Sequence, residues 1–130
     1  MYLLDTDTCI RFLRGEATVL NMIRSLERDE VHTSMPTVYE LEVGMEKATT
    51  NVREKRYALD KMLDLIAIAP FGHNEAKEAA RIRSDLEKKG MPIGSIDYLI
   101  AGVARSHDCT LVTGNSREFK RVKNLKLEKW

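Results

Sequence analysis

The stretch Tyr2-Leu3-Leu4-Asp5-Thr6-Asp7-Thr8 runs a short apolar strand straight into a carboxylate and then into residues that start helices. It reads as a buried strand that delivers Asp5 to the edge of a sheet and turns into a helix beginning near Asp7. In open α/β sheets that edge, beyond the carboxyl ends of the strands, is where ligands bind. Working outward, short apolar runs alternate with helical periodicities along the rest of the chain.

Val19, Ile23 and Leu26 mark an amphipathic helix, and residues 30–34 read as a second strand. A helix is expected from Pro36 and Thr37 through Gly44 to about Ala48, and a charged helical stretch from Asn51 to Met62. Residues 65–69 read as a third strand closed by Pro70. Ala76, Ala79, Ile82 and Leu86 space a long helix that starts at Asn74 and stops at Gly90. Ser95 offers an N-cap for a helix reaching about His107, with Ile96, Leu99, Ile100 and Val103 as its apolar face. Residues 110–113 form a fourth strand, Gly114-Asn115-Ser116 is turn chemistry, and a last short strand lies near 126–128. Strands separated by helices pair in parallel through right-handed crossovers. The expectation is therefore a three-layer α/β/α sandwich around a parallel sheet of about four to five strands.

With 130 residues the chain is read as one domain, residues 1–130, with one good core. A composition of 43% hydrophobic and 32% charged residues is that of a globular protein rather than a disordered tail. No window approaches the roughly 20 apolar residues of a membrane span, and a cytoplasmic location is expected. Cys9 and Cys109 lack the paired spacing of a zinc site and are read as reduced, buried thiols. Twenty-one Lys and Arg offset 20 Asp and Glu, so net charge gives no global argument for a nucleic-acid partner. Locally, residues 117–126 carry five cations against one acid, and Arg11 and Arg14 follow the first acid.

Placed on this scaffold, the acids converge. Asp5 follows the first strand, Glu40 is expected in the first turn of the helix after the second, and Asn115 and Glu118 follow the fourth. Asp97 opens the helix that leads into that fourth strand. Clustered carboxylates repel one another and are tolerated with protons or cations between them, and hard oxygen ligands select Mg²⁺ or Mn²⁺. Each acid also has a local structural use. Thr37-Val38-Tyr39-Glu40 fits a capping box, Asp97 suits a helix dipole, and Asp5 suits a helix cap. His32, His73 and His107 show no ligand spacing and are read as surface or loop residues. Ser34, Thr37 and Ser116 have no base near them in sequence, which leaves a nucleophilic triad unsupported.

Four segments, LLDTDTCI (3–10), TVYELEVG (37–44), PIGSIDYLIAG (92–102) and LVTGNSREF (111–119), together resemble the PIN-domain ribonucleases, and within them the VapC-type toxins of toxin–antitoxin pairs. The resemblance implies a PIN-like fold and a metal-dependent endoribonuclease, with Asp5, Glu40 and Asp97 as acidic ligands of Mg²⁺, Mn²⁺ substituting. It also implies a structured RNA substrate such as tRNA or rRNA, a cognate VapB-type antitoxin and a homodimer. Two positions depart from the pattern: Asn115 stands where PIN domains often have Asp, with Glu118 as the candidate substitute, and Asp7 stands where Asn is usual. Thr6 and Thr113 are expected to orient acids or water. Arg11, Arg14, Thr113, Arg117, Lys120 and Arg121 are the expected RNA contacts. Two other readings compete. Asp5-Thr6-Asp7-Thr8 is similar to the opening of haloacid-dehalogenase phosphatases, although their later GDxxxD-like motif is missing. Asn115 also motivates a non-catalytic PIN-like module that binds RNA or protein.

Overall fold

The computed structural model describes residues 1–130. Five strands, β1 (Tyr2–Leu4), β2 (Val31–Ser34), β3 (Ala67–Ala69), β4 (Thr110–Val112) and β5 (Lys126–Glu128), form one parallel sheet in the order β3-β2-β1-β4-β5. Leu4 stands opposite Thr33 on one side and Val112 on the other. The chain therefore leaves β1 at the middle of the carboxyl edge, with Asp5 as the first residue beyond it.

An all-parallel sheet needs a crossover after each strand and so has both faces covered. The crossovers here are α1 (Thr6–Leu13), α2 (Ala17–Arg24), α3 (Met35–Lys47), α4 (Val52–Leu65), α5 (His73–Lys88) and α6 (Ser95–Ser106), with a single turn, α7 (Ser116–Phe119), before β5. Successive strand residues point to opposite faces. Leu3 and Leu111 accordingly enter one core with Ile82, Leu86, Ile100 and Val103 of α5 and α6. Leu4, Val31 and Val112 enter the other with Cys9, Val19, Leu41, Leu59 and Met62 of α1–α4. The expected three-layer sandwich is the observed one, with five strands. Both cysteines are free and buried. No helix is long and apolar enough to cross a membrane.

Element boundaries differ from the sequence reading where caps decide them. Ser34, not Thr37, caps α3: its hydroxyl accepts from the Thr37 amide at 3.2 Å. Pro36 sits in the first turn, where its missing N–H costs no hydrogen bond. The helix thus begins at Met35, and Glu40 falls in its second turn rather than its first. The Thr37–Glu40 capping box does not form. Similarly, Gly94 occupies the cap position of α6 and Ser95 is its first helical residue. The third strand is shorter than expected because Leu59, Met62 and Ile66 keep helical spacing to the end of α4, burying that stripe. His32 lies within β2, not in a loop, and its Nδ1 is buried without a partner.

α5 and α6 share the most extensive helix pairing. At their crossing, a Cβ added to Gly102 would lie 2.7 Å from the Ala79 Cβ and 2.9 Å from its Cα and N. Gly102→Ala would gain about 1 kcal/mol of helix propensity. Against that, overpacking costs about 1–3 kcal/mol, and here the obstacle is backbone, which places the cost at the upper end. A net loss of about 1–2 kcal/mol is expected in denaturant unfolding, and an unchanged or raised midpoint would show that the helices slide apart freely.

Candidate active site

Asp5 is 4% exposed, and its main chain is held at the sheet edge by donation of its N–H to the Val112 carbonyl at 3.1 Å. One carboxylate oxygen, Oδ1, accepts from the Thr8 amide at 2.8 Å and caps α1. The structural use anticipated for Asp5 is therefore real and engages this oxygen. Burial pushes the Asp5 pKa up; hydrogen bonding from Thr113 and Thr8 pulls it back.

Glu40 reaches the same place from α3. The Thr6 hydroxyl donates to Glu40 Oε1 and lies 3.5 Å from the Thr37 hydroxyl, which accepts from Ser34 Oγ at 3.1 Å. These hydroxyls fix Glu40 across the α1–α3 boundary, so Thr6, beside Asp5, orients an acid. Asp97 comes from the opposite layer. Its carboxylate folds back over the start of α6, 2.9 Å from where a Gly94 Cβ would stand, so residue 94 must lack a side chain for Asp97 to adopt this pose. Its pKa is raised to about 6, first by burial and then by the negative charges of Glu118, Glu40 and Asp5. All three other carboxylates are thus within electrostatic reach of Asp97.

The β4–α7 turn completes the crevice. Asn115 donates its side-chain Nδ2 to Glu118 Oε2 at 3.1 Å, and its main-chain N–H to the Thr113 hydroxyl at 2.9 Å. Gly114 gives room to Asp7, whose Oδ2 is 2.9 Å from where a Gly114 Cβ would stand. Phe119, 1% exposed, anchors α7 in the α5–α6 core.

The expected RNA contacts separate into two groups. Thr113 is 1% exposed and hydrogen-bonded within the site, so it positions neighbours and does not meet substrate. Arg11 is engaged by Glu16 at 2.6 Å and by the Trp130 carbonyl at 2.7 Å. Arg121 donates to the Pro92 carbonyl at 2.8 Å. Arg14, Arg117 and Lys120 remain exposed. Sequence reasoning could not see the Trp130 and Pro92 carbonyls against Arg11 and Arg121, which lie 119 and 29 residues away. His107 is paired with Glu75 at 2.8 Å, away from the acids.

Chemically, the donor set is carboxylate oxygen, which fits a hard divalent cation. No three of these groups stand close enough together to close around one ion directly.

A PIN-domain family model matches residues 2–125. The chain belongs to the PIN-domain family, in its VapC ribonuclease branch. A tRNA(fMet)-specific endonuclease VapC from Shigella flexneri is 32% identical over 130 residues, covering 99% of this chain and 97% of its own. Ribonuclease VapC2 from Rickettsia felis is 32% identical over 132 residues, covering 100% and 98%. Among solved structures, VapBC2 from Rickettsia felis bound to a DNA fragment from its promoter superposes with a TM-score of 0.92 at 32% identity, covering 99% of this chain and 98% of that one. VapBC from Salmonella typhimurium bound to DNA superposes with a TM-score of 0.92 at 29% identity, covering 99% and 97%. These relatives are ribonucleases, and the phosphatase reading of Asp5-Thr6-Asp7-Thr8 has no counterpart among them.

The crowded acids carry a stability signature. Asp97 holds its proton more tightly in the folded chain than in the unfolded one, so its contribution favours folding below about pH 4 and is lost as pH rises to about 6. Asp97→Asn removes the penalty. In metal-free buffer its thermal midpoint is expected to exceed the parent's by a few degrees at pH 7.5, the difference shrinking towards pH 4. Equal midpoints at both pH values would mean that the carboxylates do not repel.

Proposed function

We propose that this chain is a Mg²⁺-dependent endoribonuclease toxin, with Mn²⁺ able to substitute, acting in the cytoplasm on structured RNA of the tRNA class. The observation that carries the reading is the convergence of Asp5, Glu40, Asp97 and Glu118 from separate segments on one sheet edge, with Asp97 raised to about 6 by burial and by the other three. A divalent ion taking one or two of Asp5, Glu40 and Asp97 directly, and the rest through its waters, would supply a Lewis acid for the phosphodiester and a bound water of lowered pKa. The protein's own part is positioning. Thr6 fixes the Glu40 carboxylate, while Thr8 and Thr113 fix Asp5. Glu118, held by Asn115, adds a fourth acid to the cluster, which supports a catalytic module over one that only binds.

Asp5→Asn and Asp97→Asn each keep the side chain's shape and remove a charge. Loss of cation stabilisation worth several kcal/mol corresponds to at least about a hundredfold in rate, at about 1.4 kcal/mol per tenfold. Cleavage of a tRNA mixture by purified protein across a Mg²⁺ titration is the test, and parental rates in either variant would discard the metal site.

An acidic crevice repels phosphate, so cations must hold the strand beside it. Exposed Arg117 and Lys120 flank Glu118 on α7 and its end, with Arg14 at the end of α1. Replacing Arg117 and Lys120 with Ala is expected to weaken RNA binding and to lower its log–log salt slope by up to about one unit for each phosphate that is no longer neutralised. An unchanged slope would return both to a solvated face.

The partner we assign is a VapB-type antitoxin bound to a homodimer of this chain. A groove of about 410 Å³ between α1, α3 and α4 is lined by Ile10, Leu13, Leu41, Met45 and Leu59, rimmed by Arg14, Lys47 and Lys55, and opens on Glu40. It suits an apolar segment bearing acids for the rim and ending in an Arg that neutralises the carboxylates. The two solved relatives above are themselves VapBC complexes. Inhibition that survives replacing every Arg and Lys in the antitoxin's C-terminal segment would remove the arginine from this scheme.

A further inference from the structure

We infer that Asn115 is a positioning residue whose side-chain N–H₂ aims the Glu118 carboxylate into the crevice, so that position 115 serves through a donor and not as an oxygen ligand. The inference rests on the reading of the acids as a cation site and assigns the division of labour within its fourth corner.

Asn115 occupies the N-cap position of α7, a place where Asn usually directs its side-chain oxygen to the helix amides. It makes no such cap here. Its Nδ2 instead donates to Glu118 Oε2 at 3.1 Å. The orientation is dictated by chemistry, because an ionised carboxylate only accepts and the amide nitrogen is the only donor the side chain has. The main chain of Asn115 is held independently: its N–H donates to Thr113 Oγ1 at 2.9 Å, and its carbonyl accepts from the Phe119 N–H at 3.3 Å. Phe119 is locked in the core. The amide nitrogen therefore sits on a fixed base, and Glu118 receives a charge-assisted hydrogen bond that restricts its long side chain. The Glu118 charge acts on Asp97, as those of Glu40 and Asp5 do, so the held carboxylate belongs to the acidic cluster. An Asp at 115 would lack the donor and set a like charge against Glu118, turning an aiming contact into a repulsive one.

The test is a double-mutant cycle on the full chain, read by Mg²⁺ affinity in titration calorimetry and by kcat and KM for RNA cleavage. Asn115→Ala and Glu118→Ala are each expected to lower kcat by roughly tenfold, in the range found for residues that orient metal ligands, with KM for RNA unchanged. The double variant is expected to be no worse than Glu118→Ala alone, in kcat and in Mg²⁺ affinity, because the amide acts only through the carboxylate. Asn115→Asp, isosteric and more acidic, is expected to keep or tighten Mg²⁺ binding while its kcat falls as in Asn115→Ala. Losses that multiply in the double variant, or parental turnover in Asn115→Asp, would overturn the inference and leave the cation site standing. A parent that neither binds Mg²⁺ nor loses activity in Asp97→Asn would overturn both.

Discussion

The hydrogen bond from the Asp5 amide to the Val112 carbonyl continues the β1–β4 ladder one residue past the strand, while the Asp5 side chain already caps α1. A single residue thus ends a central strand, begins a helix and projects an acid, and the rest of the molecule is arranged around that overlap. β2 and β4 must flank β1 in register for Glu40 and Glu118 to emerge beside it. α6 must cross the far face for Asp97 to arrive from the other side. Burial of Leu3 and Leu4 on opposite faces supplies the energy for this, since each fully buried Leu contributes about 1.5–3 kcal/mol.

The site is held against electrostatic strain. Asp97, lifted to about 6 by burial and then by its neighbours' charges, is the visible part of that cost, and the hydroxyls of Thr6 and Thr113, with the Thr8 and Asn115 N–H groups, hold the other acids in place. They are fixed donors, unlike water, so Asp5, Glu40 and Glu118 are oriented before any cation arrives. A stable domain that concentrates repulsion at one edge is the usual compromise between holding a fold and binding a charged ligand.

Much of this could be read from the sequence, for identifiable reasons. Asp5, Glu40, Asp97 and Glu118 all follow or open elements whose apolar spacing is plain, so their shared edge follows from topology alone. What escaped reading depended on partners distant in the chain or on which of two neighbouring residues caps. Ser34 outcompetes Thr37 as the cap of α3 because Pro36 fits the first turn, and Glu40 moves with it into the second. Arg11 reads as free in sequence, yet the Trp130 carbonyl stands against it, as the Pro92 carbonyl stands against Arg121. Thr113 reads as a strand-end hydroxyl open to substrate, yet the fold closes over it. Periodicity reports which face is buried; it does not report which polar group a buried hydroxyl has already chosen.

The two cores lie on opposite sides of the sheet, and the carboxylates are drawn from both: Asp5 and Glu40 belong to helices packed on one core, Asp97 to a helix packed on the other. Neither layer alone contains a site. If either layer peels away in a partial opening, the crevice loses a wall before the remaining layer unravels. A copy in which either layer has yet to dock, or has come away, accordingly lacks the assembled crevice.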